Sequence, residues 1–103
     1  MNGIITISDK AIIQLAAHIA VKKTDGVRAL ADRSGRVPRR YRYDTGVYLS
    51  RTKQGLEIEI CIVCAYGANT IKICNAVTNG IKTEIGELCK VNRVNVRVVG
   101  VQN

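Results

Sequence analysis

Arginine and tyrosine side chains crowd one stretch of the chain, and they have the clearest chemical character in the sequence. No acidic residue interrupts this stretch before Asp44. Guanidinium groups fork onto phosphate oxygens and tyrosine rings stack on bases, so the stretch predicts binding of nucleic acid or of an anionic lipid headgroup. The same composition is also typical of a solvated loop. The candidate anion-binding residues are Arg33, Arg36, Arg39, Arg40, Tyr41, Arg42 and Tyr43.

The remaining polar residues do not form a pattern typical of catalysis. His18 is the single histidine, and it falls on the flank of a predicted helix. Glu57 and Glu59 share one face of a predicted strand, where we expect them to pair with some of the many arginines and not to act as an acid and base pair. We therefore expect no enzyme activity, no catalytic residues, no cofactor and no small-molecule substrate.

The four cysteines include a CxxC pair, Cys61 and Cys64, followed by Cys74 and Cys89. The pair lies in a run that alternates like a strand, and residues three apart in a strand point to opposite faces. Cys61 and Cys64 would then be unable to share a tetrahedral zinc ion. We predict no metal site, and four reduced thiols that serve as small core residues.

Hydrophobic periodicity predicts the elements that position these residues. Ser8 or Asp9 can cap a first helix, and Asn69 or Thr70 can cap a second one. Gly35 and Pro38 break any regular pattern in the arginine-rich stretch, which is predicted to be a mobile loop at about 33–45. Strands are predicted at 4–7, 27–31, 46–52, 56–66 and 93–101, and helices at 10–23 and about 70–88.

The faces of these elements are predicted from the same spacing. In the strand 56–66 even-numbered residues from Leu56 to Cys64 should face the core, and odd-numbered ones the other side. In the last strand Val94, Val96 and Val98 should point inward. The second helix should bury a stripe formed by Ile71, Cys74, Val77, Ile81, Ile85 and Leu88.

The predicted fold class is α+β. The order β-α-β-loop-β-β-α-β favours a two-layer sandwich, with two helices packed on one face of a small mixed or antiparallel sheet. A chain of 103 residues is expected to form a single domain, residues 1–103.

Charge and hydropathy indicate the location and the partners to expect for the protein. The longest apolar run, 60–66, is far shorter than the roughly 18 residues that cross a bilayer. The opening residues lack the features of a secretory signal, so we expect a cytoplasmic protein. A formal net charge of +8 favours anionic partners such as nucleic acid or acidic lipid.

Several strings of the sequence carry a resemblance to a known family. They are the opening Gly-Ile-Ile-Thr-Ile-Ser-Asp at 3–9, the alanine-rich helix closing in Asp-Gly-Val at 25–27, the Tyr-Gly pair at 66–67 ahead of a helix with Ile71, and the ending Val-Asn-Val-Arg-Val-Val-Gly-Val at 94–101. In this order and spacing the chain resembles the alkaline shock protein family of Gram-positive bacteria, also called the envelope-stress or Gls-like family.

The resemblance implies a small α+β protein without a known active site. It also implies an abundant cytoplasmic protein linked to cell-envelope homeostasis, which forms homo-oligomers and is held near the membrane by a membrane-anchored protein partner. The arginine-rich loop, the cysteines and the basic charge depart from many family members, which are acidic. We predict that the chain acts by self-assembly and protein binding, with a nucleic-acid-binding module as the alternative.

Overall fold

The computed structural model describes residues 6–40, 42 and 44–103 and contains two helices and four strands among them. The elements are α1 (Asp9–Lys22), β1 (Val27–Leu30), β2 (Val47–Thr52), β3 (Gly55–Ala65), α2 (Thr70–Glu84) and β4 (Val91–Gln102).

The first strand, predicted at 4–7, lies only partly within the described residues. Ile4 and Ile5 lie outside the described residues, while Thr6 and Ile7 belong to no strand. The Arg51 guanidinium donates to the carbonyl oxygen of Ile7 and to the carboxylate of Asp9, so this segment leads into α1 alongside the end of β2. From residue 6 onward the order is α-β-loop-β-β-α-β, and the predicted α+β class with helices on a small mixed sheet is confirmed.

The sheet is built around β3, which pairs with every other strand. β4 runs parallel to it along one edge, as the crossover through α2 requires. β1 and β2 are antiparallel to β3 and share its other edge, one after the other. Cys61 of β3 marks the change of partner, because its carbonyl accepts from the Ala31 N–H and its N–H donates to the Gly46 carbonyl. The segment 32–45 therefore leaves and rejoins the sheet at the same residue of β3.

Both helices begin where the sequence predicts. The Ser8 hydroxyl accepts from the Ala11 N–H at 3.1 Å, and the Asn69 side chain accepts from the Lys72 N–H at 3.1 Å. Each cap satisfies a backbone donor that has no partner within the helix. The second helix ends at Glu84, earlier than expected, with Ile85 as its C-cap.

The buried stripe of α2 differs from the prediction at both ends. Ile73 is buried, whereas Ile71 is 74% exposed and Leu88 is 52% exposed. The Ile73 side chain packs beside Gly26, in the turn between α1 and β1, where the lack of a Cβ leaves room for it. Leu88 lies beyond the end of α2 and so cannot continue its stripe. The observed stripe is Ile73, Val77, Ile81 and Ile85.

The core lies between the helices and one face of the sheet. The even-numbered residues of β3 from Leu56 to Cys64 join Ile12, Ile19 and the α2 stripe in one cluster, as predicted. Val94 and Val96 pack against that cluster, but Val98 is 38% exposed. On the opposite face of β3 Glu57 and Glu59 are half-buried, and Cys61 and Val63 are fully buried.

Candidate functional site: the arginine-rich loop

The arginine-rich loop begins with a tight turn built on Asp32. Its carboxylate accepts from the Ser34 N–H, the Ser34 hydroxyl and the Arg36 N–H. The pKa of Asp32 lies below its ordinary value, chiefly because its carboxylate accepts the hydrogen bond from the Ser34 hydroxyl. The Asp32 N–H also donates to the Arg36 carbonyl, so residues 32–36 form a local hydrogen-bonded unit.

Arg33 binds the outer face of the sheet, although about half of its side chain remains exposed. Its guanidinium donates to both carboxylate oxygens of Glu59, at 3.0 and 3.3 Å, and lies 3.8 Å from the centre of the Tyr48 ring. Arg97 of β4 donates to the same carboxylate at 3.4 Å. The hydrogen bonds from Arg33 have the largest effect on the pKa of Glu59 and lower it, whereas burial acts to raise it.

The other arginines of the loop are exposed. Arg42 pairs with Asp44 at 3.4 Å, and more than half of each side chain is exposed. Arg36, Arg39 and Arg40 are exposed and make no ion pair with the part of the chain that the structure describes. The predicted residues Tyr41 and Tyr43 lie outside the described residues.

An open crevice of about 290 Å³ collects several groups from this loop. Arg36 and Arg42 line it together with Asp32, Asp44 and Tyr48. The two carboxylates would repel the phosphate that the two guanidiniums attract, so the crevice itself is not selective for an anion. Within the described residues, no three histidine, cysteine or acidic side chains lie close enough to hold a metal ion.

A larger crevice, of about 520 Å³, lies elsewhere, between the end of α1 and the start of α2. Three of its polar side chains have partners within the protein. The Thr24 hydroxyl donates to the Ile19 carbonyl, the Lys23 ammonium to Glu84, and Asn69 caps α2. These three side chains support the local structure.

The cysteines occupy the positions that strand alternation predicts. Cys64 faces the helices, while Cys61 lies on the other face of β3 with its sulfur 3.7 Å from Glu59. Burial raises the pKa of both thiols, and for Cys61 the charge of Glu59 adds to the effect. Both are free thiols inside the protein and do not share a site.

Sequence reasoning missed the residues that anchor the loop. Tyr48 and Arg97 carry no local signal, because each becomes relevant only through its position across the sheet from Glu59. The register places Tyr48 and Asn95 on either side of Glu59, with Arg97 beside Cys61. The alternation of Glu57 and Glu59 did indicate a strand face that pairs with arginines. The structure shows that Glu59 binds Arg33 and Arg97.

Fold and surface together describe a small α+β two-layer protein whose distinctive chemistry lies on an external loop and on the outer face of its sheet. Comparison with family models identifies the family. Residues 1–103 match the model of the alkaline shock protein 23 family, described as having a cell envelope-related function, so the chain belongs to this family. The predicted family membership is confirmed.

Two further findings accompany this assignment. Neither a curated protein nor a solved structure matches the chain. Among the described residues, no helix has both the length and the apolar character needed to cross a membrane.

Proposed function

We propose that this cell envelope-related protein acts without catalysis, by assembling with copies of itself and by binding another protein. The observation that carries self-assembly is a group of apolar side chains at one end of the molecule, which we name the apolar end. It consists of Tyr66, Ile71 and Val101, which are 77%, 74% and 54% exposed. Exposed large apolar side chains that lie together are typical of interaction surfaces.

The sheet register and the turn into α2 support grouping these three residues. Val101 is the partner of Cys64 near the end of β3, and the Tyr66 N–H donates to the adjacent Gln102 carbonyl at 2.7 Å. Ile71 is in the first turn of α2, which starts shortly after Tyr66. A second copy that covers this end would bury apolar surface that now faces water.

A double substitution tests self-assembly. In Tyr66→Ser with Ile71→Ser the average mass measured by light scattering should stay at the monomer value, while that of the wild type should rise with concentration. Leu88→Ser is the matched control, because Leu88 is also about half exposed but lines a crevice with Ile7 and Arg51, near the start of α1. The control should assemble like the wild type.

Either of two results would contradict the proposal. One is a wild-type chain that remains monomeric at every concentration. The other is a double variant that assembles as well as the wild type, which would show that another surface is responsible.

Family membership supports a location in the cytoplasm, near the membrane through an anchored protein partner. Fractionation of cells that also produce the anchored protein partner tests this location. The chain should sediment with membranes in those cells and be released by a mild detergent. Recovery entirely in the soluble fraction would contradict the membrane-proximal part of the proposal.

Nucleic-acid binding is the second candidate function, and the exposed guanidiniums of Arg36, Arg39 and Arg40 favour it. Replacing all three by Ser should weaken binding of a single-stranded oligonucleotide and reduce its salt dependence, by a slope of roughly 0.7 for each lost phosphate contact. Unchanged affinity would remove this candidate. Binding to anionic vesicles in place of the oligonucleotide would instead assign the loop to acidic lipid.

A further inference from the structure

The outer edge of β4 pairs with no other strand in the described part of the chain, although Gly35 of the arginine-rich loop approaches the Val99 carbonyl near its end. β4 spans Val91–Gln102 and pairs with β3 along its other side. Among the described residues the backbone of β4 forms hydrogen bonds with β3 and with Tyr66, in the turn that follows β3. Such an edge offers N–H and C=O groups to an added strand, and proteins use this geometry to bind extended peptides.

The opposite edge of the sheet differs, because β1 is short and the arginine-rich loop lies beside it. Val37, Pro38 and Arg42 of that loop line a shared crevice with Arg28 and Leu30 of β1. An added strand would meet these loop residues there, whereas β4 offers a regular run from Arg93 to Val98 between register irregularities near its two ends. β4 is therefore the better site for strand addition.

The two faces of β4 carry different chemistry at its edge. Arg93, Asn95 and Arg97 alternate on the outer face and are exposed. Val94, Val96 and Val98 alternate on the helix-facing side, where Val98 is more than one-third exposed. A strand added beside β4 would place its side chains alternately against arginines and against valines.

Positive charge is in excess on the outer face. Glu59 already accepts from both Arg33 and Arg97, and Glu57 accepts from the Asn92 amide at 3.0 Å. Arg93 is exposed and makes no ion pair with the described residues. An added strand with carboxylates on this face would supply the missing counter-charge.

The existing neighbour of β4 shows which sequence suits it. β3 presents Leu56, Ile58 and Ile60 on the helix side and Glu57 and Glu59 on the outer side, so acidic and apolar residues alternate along it. We infer that the outer edge of β4 binds an extended segment of another protein in which acidic and apolar residues alternate. The inference rests on the protein-binding part of the proposed function and names the chemistry of the partner.

A second copy of this chain fits the edge less well than an acidic strand does. Pairing β4 with its own copy about Asn95, in antiparallel fashion, would place each Arg93 opposite an Arg97. Each copy also carries a net charge of +8, and like charges directly opposite each other in a sheet are destabilising. Self-assembly is therefore assigned to the apolar end and partner binding to the β4 edge.

A synthetic peptide tests this inference on the full chain. The probe is a fluorescein-labelled peptide of about five Val-Glu repeats, long enough to lie along most of β4. Fluorescence anisotropy should show binding to the wild type, whereas a Val-Lys peptide of equal length should not bind. Arg93→Glu should weaken Val-Glu binding by about tenfold or more, since it replaces attraction by repulsion.

Arg28→Glu is the matched control, because it makes the same change of charge on the strand at the opposite edge of the sheet. It should leave the affinity for the Val-Glu peptide unchanged. Equal weakening by the two substitutions would mean that only the overall charge matters, and this outcome would overturn the inference. Weakening by Arg28→Glu alone would overturn it too, because the peptide would then bind at β1.

Backbone pairing is tested separately with two N-methylated forms of the peptide, one modified at its valines and one at its glutamates. Strand addition requires that at least one of them lose binding, because the blocked N–H groups then face β4. If both bind like the parent peptide, strand addition is excluded. Absence of peptide binding in a wild type that still self-assembles would reject this inference and leave the self-assembly proposal intact.

Discussion

Glu59 shows how a single side chain fixes the start of the arginine-rich loop. Its side chain is 23% exposed, and its carboxylate binds Arg33 from the loop and Arg97 from β4. Hydrogen bonds to a charged acceptor are stronger than neutral ones, particularly where water is partly excluded. Three segments that are distant in the sequence therefore meet at this carboxylate.

Replacing this carboxylate tests that role. Glu59→Gln should lower the free energy of unfolding by about 1 kcal/mol at pH 7. Because the folded pKa lies below the ordinary value of 4.5, the stabilisation is present above that value and is lost as the pH falls through the folded pKa. Urea unfolding at neutral and acidic pH should show the difference between wild type and variant disappearing in acid.

Glu57→Gln is the control for this substitution, because Glu57 lies on the same face but accepts from the Asn92 amide and binds no arginine in the described chain. Its effect on stability should be smaller. A Glu59→Gln difference that persists unchanged in acid would contradict the role assigned to the carboxylate charge.

The thiols provide a second test at this scale. Cys61 and Cys64 are fully buried, and burial raises the pKa of each, so little reactive thiolate is present or accessible. Iodoacetamide should leave both unmodified in the folded protein and modify them after denaturation, as mass spectrometry of the digested chain can show. Rapid modification of either residue in the folded state would contradict the burial of this pair.

Among the elements, β3 organises the molecule, because it provides the central strand and contributes residues to both faces. The close approach at Cys61 depends on Gly46, which has a φ of +85°. A Cβ at this position would overlap the Ala31 carbonyl oxygen, where β1 ends beside the start of β2. Both the backbone angle and the lack of space require glycine here.

A pair of substitutions separates these two requirements. Gly67→Ala should cost about 1 kcal/mol, since Gly67 has a φ of +78° but nothing within 4 Å of an added Cβ. Gly46→Ala should cost about 3 kcal/mol, because steric overlap adds to the same conformational penalty. Thermal or urea unfolding measures both, and equal losses would show that the close approach to Ala31 is unimportant.

At the scale of the whole molecule, net charge opposes the association of identical copies. A charge of +8 on each copy makes them repel, and salt screens that repulsion over a distance of about 10 Å at 0.1 M. Burial of the apolar end is much less sensitive to screening. The two proposed surfaces should therefore respond to salt in opposite directions.

Light scattering and anisotropy at several salt concentrations test this difference. Self-association should strengthen as sodium chloride is added, while binding of the Val-Glu peptide should weaken. Self-association that weakens with salt would mean that attraction between opposite charges holds the copies together, and the apolar end would not explain it.

The sequence alone determined the alternation of β3, the two helix caps, the separation of Cys61 from Cys64 and the family, because these depend on residue types at short spacing. The entry of Ile73 into the core in place of Ile71 depends on packing between elements, since Ile73 lies beside Gly26 in the turn after α1. The tertiary structure also places Arg33 against Glu59 and Tyr48, and it leaves β4 with β3 as its one partner strand among the described residues. Local periodicity cannot specify which strands become neighbours, and contacts between distant residues depend on that order.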